Sequence, residues 1–366
     1  MYKKIVVKIG TNLITDGKDF RRNFLKSITG QIAALRDEEK EVLLVSSGAI
    51  GAGIIRMELS KRVFSLSEKQ AIAAVGQIVL MQEYKELFKA LKVPVAQVLL
   101  DHDDVKNREK NANARNTLNK LIEWRVVPVI NENDTVATEE IKFGDNDALA
   151  GIVGGLVNAD LVVILSTVNG VYDKNPHDCA DAVRIKRIEN IDEALKNIEA
   201  RGKSSFGTGG MVSKLETAKN LNQAGIPLVI ADGNIKDVLL EAVAGREAGT
   251  IIAGGRAKVE SKKRWILLTL KAKGTVKIDK GAEEAILEKG RSLLAVGISS
   301  VTGVFKFGDA VDITGSGGRK LAKGIVNYSS DVLSRIKGKK NTDIKEIMKE
   351  GFYEEVVHRD NLFVYR

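Results

Sequence analysis

Cysteine is nearly missing from this 366-residue chain: Cys179 stands alone, so no intrachain disulfide can form, which fits a reducing compartment. Long hydrophobic runs are missing too. No apolar stretch reaches the roughly 18 residues of a membrane-spanning helix. Met1 to Lys8 runs straight into strand-like sequence, without the apolar region or cleavage site of a secretory signal. The expectation is a cytoplasmic protein with no membrane partner. Histidine is scarce, and His102, His177 and His358 are scattered without ligand spacing, which argues against a zinc site.

Excess positive charge is absent from most of the chain as well. The net charge is +9, yet residues 262–366 hold 21 Lys and Arg against 13 Asp and Glu, a net of +8; the remainder holds 36 against 35, a net of +1. Basic character therefore belongs to the last third, and the rest calls for an explanation other than polyanion binding. The hydrophobic and charged fractions, 44% and 29%, are those of an ordinary globular protein. A single core stops growing near ~250–300 residues, so two domains are expected.

Over residues 1–260, short β-branched runs alternate with amphipathic stretches. The runs are Ile5–Ile9, Val42–Val45, Val95–Leu100, Val126–Ile130, Leu161–Leu165 and Leu228–Ala231. Most are apolar throughout, as strands covered on both faces must be. Helices are expected over Phe24–Arg36, from a capping box at Ser67-Glu68-Lys69-Gln70 through Leu91, and over Asn111–Glu123, Asp147–Val157 and Met211–Ala224. This alternation predicts an α/β domain with a mostly parallel sheet sandwiched by helices. Pro128 lies inside one strand, where a central strand should hold no proline. Residues 261–366 change texture after the charged joint Ser261-Lys262-Lys263-Arg264. Glycine-punctuated strands are expected at Thr275–Ile278, Leu293–Ala295, Gly303–Phe307, Val311–Ile313 and Gly324–Tyr328, giving a small β-rich domain.

Glycine-rich segments fall where strands end: Lys8-Ile9-Gly10-Thr11-Asn12, Ser46-Ser47-Gly48-Ala49, and Gly207-Thr208-Gly209-Gly210-Met211 before a helix carrying Val212-Ser213-Lys214. Open α/β sheets bind ligands outside the carboxyl ends of their strands, and such turns bring backbone N–H groups to phosphates. Taken singly, each cluster is equally a tight turn. A P-loop is excluded, because Gly207 through Lys214 lacks the Gly-Lys pair. His358-Arg359-Asp360 imitates a protein-kinase catalytic loop, but Tyr365 stands where that loop needs an asparagine. Two clusters of amides and carboxylates remain, Asn131-Glu132-Asn133-Asp134 and Lys142-Phe143-Gly144-Asp145-Asn146-Asp147. Asp145 reads equally as a helix cap. Groups of this kind suit a ligand bearing both an ammonium and a carboxylate.

Five segments in order, Val7–Thr11, Val45–Ile50, Val129–Asp134, Glu140–Asp147 and Gly207–Met211, closely resemble the amino-acid kinase family. Within it they resemble the branch that phosphorylates glutamate and carries a C-terminal PUA domain, whose clearest piece here is Ser299-Ser300-Val301-Thr302-Gly303. The resemblance spans essentially the whole chain. It implies the amino-acid kinase fold over 1–260, with the ATP and glutamate sites, and a PUA-like domain over 261–366. The implied reaction is ATP-dependent phosphorylation of the L-glutamate side-chain carboxylate to L-glutamyl 5-phosphate, the first step of proline biosynthesis.

By the same resemblance Lys8 and Lys214 would hold the ATP phosphates and stabilise the transferring group, and Asp147 would organise the two lysines. Ser47, Asp134 and Asn146 would bind glutamate. Thr208, Gly209, Gly210, Met211, Val212, Ser213 and Lys214, with Lys8, Ser166 and Thr167, would line the nucleotide site. The family often has Thr-Asp where this chain has Ser166-Thr167. Mg2+ would be held mainly by ATP phosphates, with no metal ligands from the protein. Feedback inhibition by proline and a homo-oligomer, dimer or tetramer, are also implied. The acceptor carboxylate, with an ordinary pKa near ~4.3, is already ionised at neutral pH, so no general base is needed. Asp134 would pair with the free α-ammonium of glutamate and disfavour N-acetylglutamate. Two alternatives stay open: a family member acting on N-acetylglutamate, aspartate, carbamate or a nucleoside monophosphate, and an RNA-binding protein that uses the basic last third.

Overall fold

The computed structural model describes residues 2–60, 64–136, 146–174, 176, 179, 181–200, 209–255, 259–348 and 351–365. It divides into two compact units, Met1–Lys258 and Val259–Arg366. In the first, the strands are β1 (Lys4–Ile9), β2 (Glu41–Ser46), β3 (Val95–Leu100), β4 (Val127–Glu132), β5 (Leu161–Ser166), β6 (Val171–Tyr172), β7 (Arg184–Ile185), β8 (Arg187–Ile188), β9 (Leu228–Asp232) and β10 (Thr250–Ile252). The helices are α1 (Thr11–Ile14), α2 (Arg22–Asp37), α3 (Ala49–Arg56), α4 (Leu66–Ala90), α5 (His102–Lys106), α6 (Arg108–Glu123), α7 (Asn146–Val157), α8 (Ile191–Ala200), α9 (Gly209–Gln223) and α10 (Val238–Val243).

Eight strands form one sheet in the order β3-β4-β2-β1-β5-β9-β10-β8, and β6 pairs with β7 apart from it. All neighbours in the large sheet run parallel except β9 and β10. Helices α2, α4 and α10 pack on one side; α6, α7 and α9 pack on the other. That covering explains the continuous apolar runs. Ile5, Val7 and Ile9 of β1 join Leu25, Ile28 and Ile32 of α2 in one buried cluster. Each fully buried residue of this kind contributes about 1.5–3 kcal/mol. Strand β1 is flanked by β2 and β5, so the chain leaves it in opposite directions and opens a crevice at its carboxyl end.

The anticipated strands of this unit all form. Pro128 is accommodated inside β4. The Val127 N–H donates to Pro94 on the β3 side, so position 128 faces β2, and pairing with β2 starts only at Val129. The missing N–H therefore breaks no ladder bond. The capping box of α4 lies two residues before the expected one. Ser65 Oγ accepts from the Glu68 N–H at 3.3 Å, and Glu68 Oε2 accepts from the Ser65 N–H at 2.8 Å. Glu68 Oε2 also accepts from the Ser65 hydroxyl, which makes Ser65 the cap. Gly207, Thr208 and the segment Glu140 to Asp145 lie outside the described residues.

The second unit contains α11 (Ser261–Thr269), β11 (Gly274–Ile278), α12 (Lys280–Leu287), β12 (Ile298–Gly303), β13 (Ala310–Thr314), β14 (Lys320–Ile325), α13 (Ser330–Ile336), α14 (Asn341–Ile347) and β15 (Leu362–Val364). Its sheet runs β12-β11-β13-β14-β15, antiparallel apart from the β11–β13 pair. Val276, Ile278, Val311, Ile313 and Ala322 pack under Leu333 and Ile336 of α13. Three expected strands are corrected. Leu293–Ala295 makes only an isolated bridge, from Leu293 to Val357. Gly303 ends β12 instead of starting a strand, because its φ of +88° turns the chain out of the extended region. The last expected strand, Gly324–Tyr328, is displaced to Lys320–Ile325.

Helices α3 and α4 cross at glycines. A Cβ on Gly76 would meet the Ala49 carbonyl oxygen at 1.8 Å, and one on Gly53 would meet the Ile72 oxygen at 2.1 Å. Both obstacles are backbone, so neither yields cheaply. Gly76→Ala should destabilise the fold by about 2–3 kcal/mol, read from urea denaturation. A loss near zero would show that the crossing tolerates separation.

Candidate active site

Strand β1 alternates its side chains, so Lys8 points away from Ile5, Val7 and Ile9 and toward the layer of α7 and α9. Helix α7 opens there with Asn146 and Asp147, and α9 packs beside it and carries Lys214 in its second turn. The three charged side chains meet. Lys8 Nζ lies 2.6 Å from Asp147 Oδ1, and Lys214 Nζ lies 2.9 Å from Asp147 Oδ2. Side-chain exposure is 4% for Lys8, 0% for Asp147 and 10% for Lys214. Burial by itself would raise the Asp147 carboxyl, but the Lys8 and Lys214 ammonium groups outweigh it and hold the carboxyl below the ordinary carboxylate range. The first turn of α7 favours the same charged form.

Fixed ammonium groups of this kind, held where there is little water, can stabilise the charge of a phosphate. The cluster stands at the carboxyl end of β1, at the sheet's switch point, where open α/β sheets bind their ligands.

Beside it lies a cavity of about 230 Å³ lined by Thr11, Ser47, Gly48, Ala49, Ile50, Gly51, Asn131, Glu132, Asp134 and Asn146. Gly48 adopts φ +102°, a left-handed turn that swings the chain from β2 into α3 and lays the start of α3 along the cavity. Asn146 Nδ2 donates to Ser47 Oγ at 2.9 Å and to Asn131 Oδ1 at 2.9 Å. Asn146 and Asp147 are consecutive, so one helical turn joins the cavity to the lysine cluster. The other expected residues take these places. Ser166 ends β5, followed by exposed Thr167. Gly209, Gly210, Met211, Val212 and Ser213 form the start of α9 ahead of Lys214. Thr208 lies outside the described residues.

Sequence reading missed a supporting layer. Ser46 Oγ and the Tyr84 hydroxyl are 2.8 Å apart, both fully buried, and Asn131 Nδ2 donates to Gln77 Oε1 at 2.9 Å. Burial pushes the Tyr84 phenol up, only partly offset by its bond to Ser46, so it stays neutral. The missed signal was a polar residue, Gln77, on the otherwise apolar buried stripe Ile72, Ala73, Gly76, Leu80, Tyr84 and Phe88 of α4.

Residues 3–232 match the amino acid kinase family, and residues 274–348 match the PUA domain. The glutamate 5-kinase of Dictyoglomus thermophilum is 46% identical over 365 residues, covering 99% of this chain and 97% of that relative. The glutamate 5-kinase of Dictyoglomus turgidum is 44% identical over 364 residues with the same coverage. Among solved structures, carbamate kinase from Giardia lamblia bound to AMP-PNP superposes with a TM-score of 0.51 at 17% identity, covering 69% of this chain and 98% of that one. That likeness concerns the fold.

Asp147→Asn removes the charge both lysines share and should destabilise the protein by about 3 kcal/mol at neutral pH. A carboxyl lowered by folding contributes stability that is complete above its unfolded value, about 3.9, and is lost as pH falls through the lowered native value. Urea titrations at several pH values should therefore show the gap between wild type and Asp147→Asn closing only in strong acid. A gap that closes near neutrality would mean that Asp147 is not held ionised as described.

Proposed function

Because the chain belongs to the amino acid kinase family, in its glutamate 5-kinase branch, we propose that it transfers the γ-phosphoryl group of ATP to the side-chain carboxylate of L-glutamate, yielding L-glutamyl 5-phosphate and ADP on the way to proline. It is a phosphotransferase with a carboxyl group as acceptor. The observation that carries the reading is the Lys8–Asp147–Lys214 cluster, with separations of 2.6 Å and 2.9 Å, beside an amide-lined cavity.

In this reading the nucleotide lies along the start of α9, from Thr208 to Lys214, with Ser166 and Thr167 at its edge. Lys8 and Lys214 contact the transferring phosphoryl group. Phosphoryl transfer spreads charge over the equatorial oxygens and the leaving group, and two fixed ammonium groups in a dry site stabilise that charge best. Asp147 holds the two lysines in place. The incoming glutamate carboxylate is already ionised and attacks without a base. Ser47, Asp134 and Asn146 hold glutamate in the cavity, with the Asp134 carboxylate toward the α-ammonium.

Use of ATP brings a divalent cation with the nucleotide, and we read it as Mg2+ carried on the phosphates as part of the co-substrate. The described residues of the cluster are engaged with one another. Both Asp147 oxygens face ammonium groups, and among the described residues no three His, Cys, Asp or Glu side chains gather to hold an ion. No step is assigned to protein-bound metal.

The reading extends to feedback inhibition by proline and to a homo-oligomer, dimer or tetramer. An apolar stripe on the outer side of α4 supports the oligomer: Ala71, Ala74, Val75 and Ile78 are exposed at helical spacing, Ile78 by 71%. No helix among the described residues is long and apolar enough to cross a membrane.

Incubation with ATP, L-glutamate and hydroxylamine should trap the acyl phosphate as a hydroxamate. Lys214→Ala should abolish the product while circular dichroism stays unchanged. Strong product from N-acetylglutamate and none from glutamate would overturn the substrate assignment. Ile78→Glu should shift the sedimenting species toward monomer; an unchanged sedimentation coefficient would remove α4 from the interface.

A further inference from the structure

A peptide group bonded through both its N–H and its C=O keeps its orientation firmly; one with a single bond keeps it through that bond alone. A group of the second kind lies at the turn from β2 into α3. The Ser47 N–H donates to the Ile9 carbonyl, and the Gly48 carbonyl accepts from the Ala52 N–H, so the peptides before and after the turn are tied to the sheet and to the helix. The Ser47–Gly48 peptide between them has one bond among the described residues: its carbonyl accepts from Ser46 Oγ at 3.0 Å. Gly48 stands at φ +102° and ψ 1°, close to the third residue of a type II turn. Turning that one peptide over gives the type I form along nearly the same chain path, and glycine accepts either. The Ser46 hydroxyl therefore selects the observed form.

The direction of that hydroxyl follows from its neighbours. Ser46 Oγ lies 2.8 Å from the Tyr84 hydroxyl, and both residues are fully buried. A hydroxyl has one proton to give. The Tyr84 hydroxyl has no other partner among the described residues, so it donates to Ser46 Oγ, and Ser46 donates onward to the Ser47 carbonyl. Reversing the first bond would leave the phenol proton buried without an acceptor and the Ser47 carbonyl without a donor.

The same bond fixes where the other end of the peptide points. Side chains alternate along β2. Val42 and Leu44 join the cluster of α2 and α4, and Ser46 follows them to Tyr84. Ser47 turns to the opposite layer, where Asn146 of α7 donates to its Oγ at 2.9 Å. The peptide is trans, so its C=O and N–H point in opposite directions. With the carbonyl drawn toward Ser46 on the α4 side, the Gly48 N–H is turned to the α7 side, the layer that also receives Lys8, Asp147 and Lys214. Ser47, Gly48, Ala49, Ile50 and Gly51 all line the cavity, and the N–H groups of the last four have no acceptor among the described residues.

We propose that Ser46 is a positioning residue for the acceptor: its hydroxyl draws back the Ser47 carbonyl so that the Gly48 N–H, at the head of the open first turn of α3, meets the side-chain carboxylate of glutamate. Turned over, the same peptide would present a carbonyl oxygen to that carboxylate and repel it. The inference deepens the proposed function, since it rests on the cavity being the glutamate site.

The test uses the full chain and two substitutions that break the same buried bond. Ser46→Ala removes the hydroxyl that holds the peptide. Tyr84→Phe removes only the phenol oxygen, after which Ser46 still has its proton for the Ser47 carbonyl. Both should lower the urea midpoint, and Ser46→Ala alone should alter substrate binding. Its glutamate KM should rise about fivefold, as loss of one hydrogen bond implies. Its kcat and ATP KM should stay within about twofold of wild type, because the N–H binds a carboxylate that is ionised before transfer begins. Tyr84→Phe should keep the wild-type glutamate KM. Four results would each overturn the proposal: glutamate KM unmoved in Ser46→Ala, glutamate KM raised equally in Tyr84→Phe, ATP KM rising in step with glutamate KM, or kcat falling with glutamate KM unchanged. If Ser46→Ala fails to fold by circular dichroism, Ser46→Cys, a much weaker donor, takes its place with the same expectations. A wild-type protein with no glutamate-dependent turnover would instead remove the functional reading on which the inference rests.

Discussion

Two ammonium groups share one buried carboxylate at the centre of this protein, and the rest of the first unit is arranged to make that contact possible. Lys8 comes from the first strand, Asp147 from the first turn of α7 and Lys214 from α9. No two of them are neighbours in sequence. Bringing like charges this close out of water is unfavourable unless an anion lies between them, and Asp147 supplies it. In the proposed function the same two ammonium groups face the transferring phosphoryl group. In that function no base is needed, because the acceptor carboxylate is already ionised and the cluster has only charge to stabilise.

The acceptor side depends on α4, a helix that touches no substrate in the proposed function. It closes on α3 through Gly53 and Gly76 at distances that leave no room for a side chain. It reaches the ends of two strands through separate hydrogen bonds, Tyr84 to Ser46 on β2 and Gln77 to Asn131 on β4. Both bonds are buried, where they are strong and where leaving them unmade is costly. The cavity floor is thus held from behind by polar groups inside an otherwise apolar contact. The outer side of the same helix bears the exposed apolar stripe, so the subunit contact proposed above and support of the cavity would fall on one element.

Much of the α/β unit was legible because its strands are covered on both faces and read as unbroken apolar runs. The chemistry-bearing turns were legible because glycines and amides cluster where those runs stop. The second unit was harder. Its strands are short and its glycines end strands as often as they start them, so Gly303 was read in the wrong sense and β15 was not seen. Pro128 posed a conflict that pattern alone could not resolve, since the answer depended on which neighbour its missing N–H would have faced. The helix cap was misplaced because Ser65 and Ser67 both have a suitable partner three residues on, and the Glu68 carboxylate accepts from both the N–H and the hydroxyl of Ser65.

What the order of residues determined by itself was the element pattern and the division of charge between the two units. Those follow from periodicity and from side-chain type, which are local properties. Only the tertiary structure decided that Lys8, Asp147 and Lys214 converge, and that Gln77 lies behind Asn131 with its acceptor end forward. Contacts between residues tens to hundreds of positions apart depend on strand order, helix crossing and burial, and so does the direction of a hydrogen bond between two amides. None of these leaves a trace in local spacing.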